Sequence, residues 1–356
     1  MSNFESIIGQ DHPLRILNTL IKKGTIPNAL LFTGIDGVGK LTAASTFAMA
    51  CNCMGTSAQD VLCDSKGKKA SSNQPAITNP CGLCKSCKKI MSGNHPDIIL
   101  VKPTGFFLKI DQIRGLCQTL AMKPYEARLR VVIISDAQAM NLEAGNALLK
   151  ILEEPPKRTI LILTCTHPSE LLPTIVSRCH PIRFSPISRD NLTEMLVGKQ
   201  GLSREKAEVI AASAGGSYAR SLRMKEKNWD QRRNWLLTAT GLHSSVFFPK
   251  SIGSLLALAE KLSKNKETLT EALDIIKSWL RDAVIGRYLP EKIINTDLTE
   301  KILTASEKLS PAALLEKIEA VEKTQKNIRG NANLRLAAES LLIQLAFKKQ
   351  TPSDIT

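Results

Sequence analysis

Three cysteines recur at every third position in Cys81-Gly82-Leu83-Cys84-Lys85-Ser86-Cys87, and His95-Pro96-Asp97 follows eight residues later. Thiolates at this spacing converge on one soft cation, and a structural zinc ion takes four ligands in tetrahedral geometry. The run supplies three, so Cys53 or Cys63 upstream must complete the set. Four thiolates leave no open coordination position, so the expected Zn2+ is structural rather than catalytic. Zinc binding of this kind returns about 10–16 kcal/mol. That exceeds the closure cost of the 27-residue connection between Cys53 and Cys81, because closure entropy grows only logarithmically with length. Nine cysteines in 356 residues are too sparse for a secreted disulfide framework and read as metal binding in a reducing compartment. Cys117, Cys165 and Cys179 lie on apolar segments away from the cluster and read as small buried hydrophobes.

A second chemical motif precedes the first. Gly34-Ile35-Asp36-Gly37-Val38-Gly39-Lys40 fits the phosphate-loop pattern G-x-x-x-x-G-K. Glycines let backbone N–H groups turn toward phosphates, and the helix that follows presents its positive end to them. Gly34, Gly37, Gly39 and Lys40 are therefore candidate ATP or ADP ligands. The position after Lys40 ordinarily carries the Ser or Thr that holds magnesium. Here it is Leu41, and Thr42 falls one residue late, on a helical face turned by about 100°. A working ATPase of this type ends its central strand in two carboxylates. This chain reads Ile133-Ile134-Ser135-Asp136, with one. Each 1.36 kcal/mol of lost barrier stabilisation costs tenfold in rate, so two such lesions predict weak nucleotide binding and poor or absent turnover.

Ser177-Arg178-Cys179 adds a third candidate. An arginine at this position either forms a surface ion pair or reaches a neighbouring subunit's nucleotide as a finger.

These side chains need a scaffold. Ala29–Thr33 is an apolar run that ends in the glycine loop and predicts a buried parallel strand. Further strands are expected at 97–102, 130–135, 159–164 and 180–184. Helices are expected at 41–54, 111–121 and 142–153, with another starting near Pro168. Strand alternating with helix predicts an α/β domain built on a parallel sheet. Residues 55–80 are polar and lysine-rich and read as a flexible insertion. Beyond Pro186 only amphipathic helices are expected, including 268–286 and 311–326, with polar breaks at 263–266 and 289–296. The expected domains are 1–185 with the zinc-binding insertion at about 53–87, a helical lid at 186–228, and a C-terminal all-helical domain at 229–350.

The charge is +15, with 21 Lys/Arg against 13 Asp/Glu before residue 186 and 27 against 20 after it. Such a balance suits a polyanionic partner but is spread evenly, with no basic tail. No apolar run is long enough to span a membrane. The start of the chain lacks signal-peptide layout, so a cytoplasmic protein is expected.

Taken jointly, Ile7-Ile8-Gly9-Gln10, Ala29-Leu30-Leu31-Phe32, the glycine loop, the cysteines with Gly93-Asn94-His95-Pro96-Asp97, Asn146–Pro156 and Ser177-Arg178-Cys179 resemble the AAA+ clamp-loader subunits of bacterial DNA polymerase III. The similarity is strong over about residues 5–185 and general beyond. It implies a P-loop domain with an inserted zinc module, a small lid and a C-terminal collar that assembles a ring. It favours Cys53 as the fourth ligand. Leu41 and Ser135 make the chain more similar to the delta-prime type of subunit than to the gamma/tau motor. The lid arginine that senses nucleotide in motors would fall near Ala219. By this resemblance the partners are gamma/tau and delta subunits, the sliding clamp and primed DNA, and Arg178 would serve a neighbour's ATP in trans. Two alternatives remain open at this point: an ATP-hydrolysing gamma/tau-type motor, and a zinc DNA-binding regulator with a vestigial loop. Against the regulator, the chain returns to a buried strand after the cysteines, with no recognition helix.

Overall fold

In the computed structural model the described residues are 3–55, 79–105, 107–242, 251–330 and 332–346. Most of the 55–80 insertion, Cys63 among it, lies outside them. The chain divides into two compact units, Met1–Leu192 with Gly216–Ala219, and Thr193–Gly215 with Arg220–Thr356.

The first unit is built on five parallel strands, β1 (Ala29–Thr33), β2 (Ile98–Val101), β3 (Arg130–Ile134), β4 (Thr159–Cys165) and β5 (His180–Arg183), in the order β2-β3-β4-β1-β5. Every residue of β1, β3 and β4 is buried. This is why they read as continuous apolar runs rather than alternating ones. One face packs against α1 (Asp11–Lys23) and α2 (Lys40–Asn52), in a cluster containing Leu17, Phe32, Phe47 and Phe184. The other face packs against α4 (Ile110–Leu120) and α5 (Leu142–Glu153), around Leu31, Leu148 and Leu163. Between them in sequence stands α3 (Lys85–Met91). The expected strands and the helix at 142–153 form within a residue or two of their anticipated ends. Asn141 starts α5 by accepting the N–H of Ala144 at 2.9 Å, which satisfies one of the helix's unpaired donors.

The helix expected from Pro168 is broken instead. A 3-10 turn covers Pro168–Glu170, and a separate four-residue α6 spans Pro173–Val176. Pro173 lacks the N–H a continuous helix would need and disfavours helical geometry in the residue before it. The chain therefore restarts rather than continues.

The second unit contains most of α7 (Arg189–Gln200), α8 (Arg204–Ser213), most of α9 (Tyr218–Glu226), α10 (Trp229–Ala239), α11 (Ile252–Leu262), α12 (Lys266–Gly286), α13 (Thr299–Lys308), α14 (Pro311–Arg329) and α15 (Leu334–Ala346). The all-helical character expected beyond Pro186 holds for its described residues. Helix α12 is its spine and packs against α13 and α14, with Trp279 fully buried. Asp282, also fully buried, accepts the backbone N–H groups of Ile294 and Asn295 and the side-chain amide of Asn295. Asn295 in turn accepts from Arg233 at 2.9 Å, and Arg233 pairs with Asp297. These bonds fix the polar segment 289–296, since a buried charge is tolerated only when fully partnered. Among the described residues no helix is long and apolar enough to cross a membrane.

Candidate functional site

The glycine loop joins the C-terminal end of β1 to α2, where the switch between strand and helix leaves backbone groups free. Gly34, Gly37 and Gly39 have φ of 137°, 80° and 99°. Two of them also have no room for a side chain. A Cβ on Gly34 would lie 2.4 Å from the carbonyl oxygen of Phe184, and one on Gly37 would lie 2.4 Å from Ser217 Oγ and 2.7 Å from Ala219 Cβ. The start of α9 is thus seated on the loop, and the Tyr218 N–H donates to Gly37 O at 3.0 Å. Ala219 stands where a motor's lid arginine was expected to fall. Arg220, one residue on, pairs with Asp274 at 3.0 Å.

Lys40 is buried, and its ammonium turns back into the loop that precedes it. It donates to the carbonyl oxygens of Gly34 and Ile35 and lies 3.5 Å from Asp36 Oδ1. Leu41 is half-buried and Thr42 is exposed on the first turn of α2. At the end of β3, with β4 between it and β1, Ser135 is buried and donates its N–H to Val101 O at 2.9 Å. Asp136 adopts a left-handed backbone with φ 51°. Its N–H donates to Thr164 Oγ1 at 3.1 Å. The sequence reading gave no role to Thr164. The signal it carried was a hydroxyl residue near the end of an otherwise apolar strand.

Cys53, Cys81, Cys84 and Cys87 come together with all four Sγ atoms within 4.8 Å of one another. Cys53 ends α2, Cys84 caps α3 and Cys87 lies in its first turn. The thiols accept backbone N–H groups from Gly55 and Cys81 (both to Cys53), Cys84 (to Cys81) and Cys87 (to Cys84), at 3.3–3.5 Å. Burial pushes the Cys53 and Cys87 thiols up, while the Cys84 N–H draws Cys81 down to about 6. Four bonds of about 2.3 Å in a tetrahedron place sulfurs about 3.8 Å apart, so the cluster has the size and donor chemistry of a zinc site. Met49 and Ile90 pack behind it. By contrast, burial holds Cys165 and Cys179 up at about 11. These two are core residues, as expected, whereas Cys117 is only partly buried.

His95-Pro96-Asp97 has a structural part that sequence reasoning missed. The Asp97 carboxylate accepts the N–H groups of Tyr125, Glu126 and Ala127, each at 2.8 Å, and lies 3.4 Å from Arg130 Nη2. Burial raises the Asp97 pKa, but these donors and the guanidinium outweigh it and hold the acid below its usual range.

Arg178 follows α6 and precedes β5. Because β5 runs parallel to β1, with Leu30 opposite His180 and Thr33 opposite Arg183, Arg178 and Gly34 lie at opposite ends of the sheet. The four-residue step from His180 to Phe184 alone spans about 13 Å.

A parallel α/β sheet with a glycine loop after the interior strand β1 and a four-cysteine cluster at the end of the following helix defines a P-loop-type α/β protein. The family described as "DNA polymerase III, delta subunit" matches residues 9–188, and its C-terminal counterpart matches residues 226–346. The chain belongs to this family of clamp-loader subunits. Bacillus subtilis DNA polymerase III subunit delta' is 29% identical over 344 residues, covering 94% of this chain and 96% of that protein. Subunit tau of the same organism is 27% identical over 99% of this chain but 63% of its own length. A Haemophilus influenzae tau/gamma subunit is 26% identical over 97% of this chain and 50% of its own length. A solved gamma-subunit-related protein from Thermotoga maritima covers 94% of this chain and 98% of that one at 18% identity and TM-score 0.40. That likeness is too loose to transfer any residue's role.

Proposed function

We propose that this chain is the delta-prime-type subunit of a DNA polymerase III clamp loader, a ring member that helps place the sliding clamp on primed DNA and presents Arg178 to the ATP of a neighbouring gamma/tau subunit. The observation that carries this reading is topological. Arg178 stands across the sheet from its own glycine loop, so any nucleotide its charge serves is held by another subunit.

Two features support a stator rather than a motor. Leu41 and Ser135 replace the magnesium-linked residues, and Ala219 occupies the lid position beside the loop. Gly34, Gly37, Gly39 and Lys40, with Thr42 at the helix start, would hold ATP or ADP weakly, because Lys40 must first leave the carbonyls it now contacts. Cys53, Cys81, Cys84 and Cys87 would hold a structural zinc ion that ties the end of α2 to α3. The three-part layout of P-loop domain (1–185), lid (186–228) and collar (229–350) belongs to the same reading, with a cytoplasmic site of action.

The tau relatives keep a motor reading in play. The test is co-assembly: the purified chain is mixed with gamma/tau and delta subunits, and clamp loading on primed DNA is measured with and without it. Loading that needs this chain, by a chain that does not itself hydrolyse ATP, supports the proposal. Stimulated hydrolysis by the chain alone favours the motor.

A further inference from the structure

In the second unit, helices α10, α11 and α12 surround a cavity of about 480 Å³ whose chemistry the subunit assignment does not use. Trp235 lines it and is 42% exposed, whereas Trp229 and Trp279 are buried at 4% and 0%. A large aromatic ring is ordinarily placed to bury its area, so an exposed indole in a concavity calls for an occupant. Lys261 Nζ stands 4.3 Å from the centre of the Trp235 ring. Lys264 and Arg232 also line the cavity. Its one carboxylate, Glu271, is paired with Arg232 at 3.1 Å. Among the described residues, Lys261 and Lys264 form no ion pair within 4.0 Å. The lining therefore holds three cations against one anion, grouped about a part-exposed indole with the Lys261 ammonium over one face of its ring.

We infer that this cavity binds single-stranded DNA, one unpaired base stacking on Trp235 while Lys261 and Lys264 take the flanking phosphates. Stacking on an aromatic side chain together with cations that follow the backbone is the general solution for single-strand binding. The concavity favours a single strand over a duplex, because a paired base keeps its face inside its own stack and cannot reach an indole lying in a cavity. The excess of positive charge disfavours an apolar peptide. The proposal uses neither the glycine loop nor Arg178, so it stands or falls separately from the subunit reading.

The test uses the full chain with a 12-nucleotide oligothymidylate. Since Trp235 is the exposed one of three tryptophans, the oligonucleotide should quench intrinsic emission. Trp235→Ala should weaken binding, read by anisotropy of labelled oligonucleotide, by roughly 5- to 100-fold. Trp235→Phe should keep most of the affinity. The double variant Lys261→Ala/Lys264→Ala should flatten the plot of log affinity against log salt by about 1.4, at about 0.7 per phosphate contact on a single strand. These substitutions are at exposed positions, and unchanged circular dichroism and thermal midpoint confirm the fold. The proposal is overturned if affinity and salt slope are the same in all variants, or if the oligonucleotide leaves tryptophan emission unchanged. It also fails if a 12-base-pair duplex, thymidine monophosphate or polyglutamate displaces the labelled strand as well as unlabelled oligothymidylate does.

Discussion

Arg178 is tethered within its own chain by Glu153: Nη2 lies 2.8 Å from Glu153 Oε1, and Nη1 donates to Thr174 O at 3.1 Å. Both side chains are substantially exposed, at 37% and 50%. An ion pair of this kind contributes about 0–1 kcal/mol. The tether orients the guanidinium without trapping it, and a better anion can take it over. The polyphosphate of a neighbour's nucleotide is such an anion, since guanidinium recognises phosphate oxygens in a bidentate fork.

Arg178→Ala is therefore expected to leave folding and zinc content intact and to depress stimulated ATP hydrolysis and clamp loading by the reconstituted complex. Arginine fingers contribute about 10³–10⁵ in rate, and a ring with several sites dilutes that to a smaller but readable loss. Arg178→Lys should restore little, because a point charge does not reproduce the planar fork. Glu153→Gln releases the tether and should change hydrolysis by no more than about fivefold. Full loading by an assembled alanine variant would reduce Arg178 to a surface ion-pair residue.

Metal analysis of protein prepared under reducing conditions should find close to one equivalent of zinc. Cys84→Ser and Cys53→Ser should each lose it and lower the thermal midpoint, since the ion's binding energy is folding energy for this module. A full equivalent retained by Cys53→Ser would remove Cys53 from the ligand set and point to Cys63.

Asp97 makes stability acid-sensitive. Its folded pKa lies below the ordinary carboxylate value, so its contribution is fully present above the unfolded pKa of about 3.9. That contribution is lost as pH falls through the folded value. Asp97→Ala, which leaves the buried Arg130 without its carboxylate, should cost about 3 kcal/mol and flatten the pH dependence of urea unfolding below about pH 4. An unchanged acid limb in the variant would assign that dependence elsewhere.

At the glycine loop, isolated protein is expected to bind ATP weakly and to turn it over far below the roughly 1 per second of ordinary enzymes. Gly37→Ala should destabilise the fold by about 1–3 kcal/mol, because its Cβ would drive into Ser217 and Ala219. Nucleotide titration followed by calorimetry, with Lys40→Ala as control, checks the first expectation. Turnover near 1 per second that Lys40→Ala abolishes would restore the motor reading.

The sequence alone determined the parallel sheet, because strands buried on both faces are written as unbroken apolar runs such as Thr159–Cys165. It also determined the glycine loop and three of the four clustered cysteines, since short-range spacing is a local property of the chain. Tertiary structure decided what depends on residues far apart in sequence. It brought Cys53 across a long insertion to Cys81, set Ala219 on Gly37, and turned Asp97 onto the 125–127 backbone. Above all it put Arg178 at the far end of the sheet from Gly34, and that separation follows from the parallel pairing of β5 with β1. No local pattern encodes it, because strand order is fixed by which faces bury one another once the whole chain has folded.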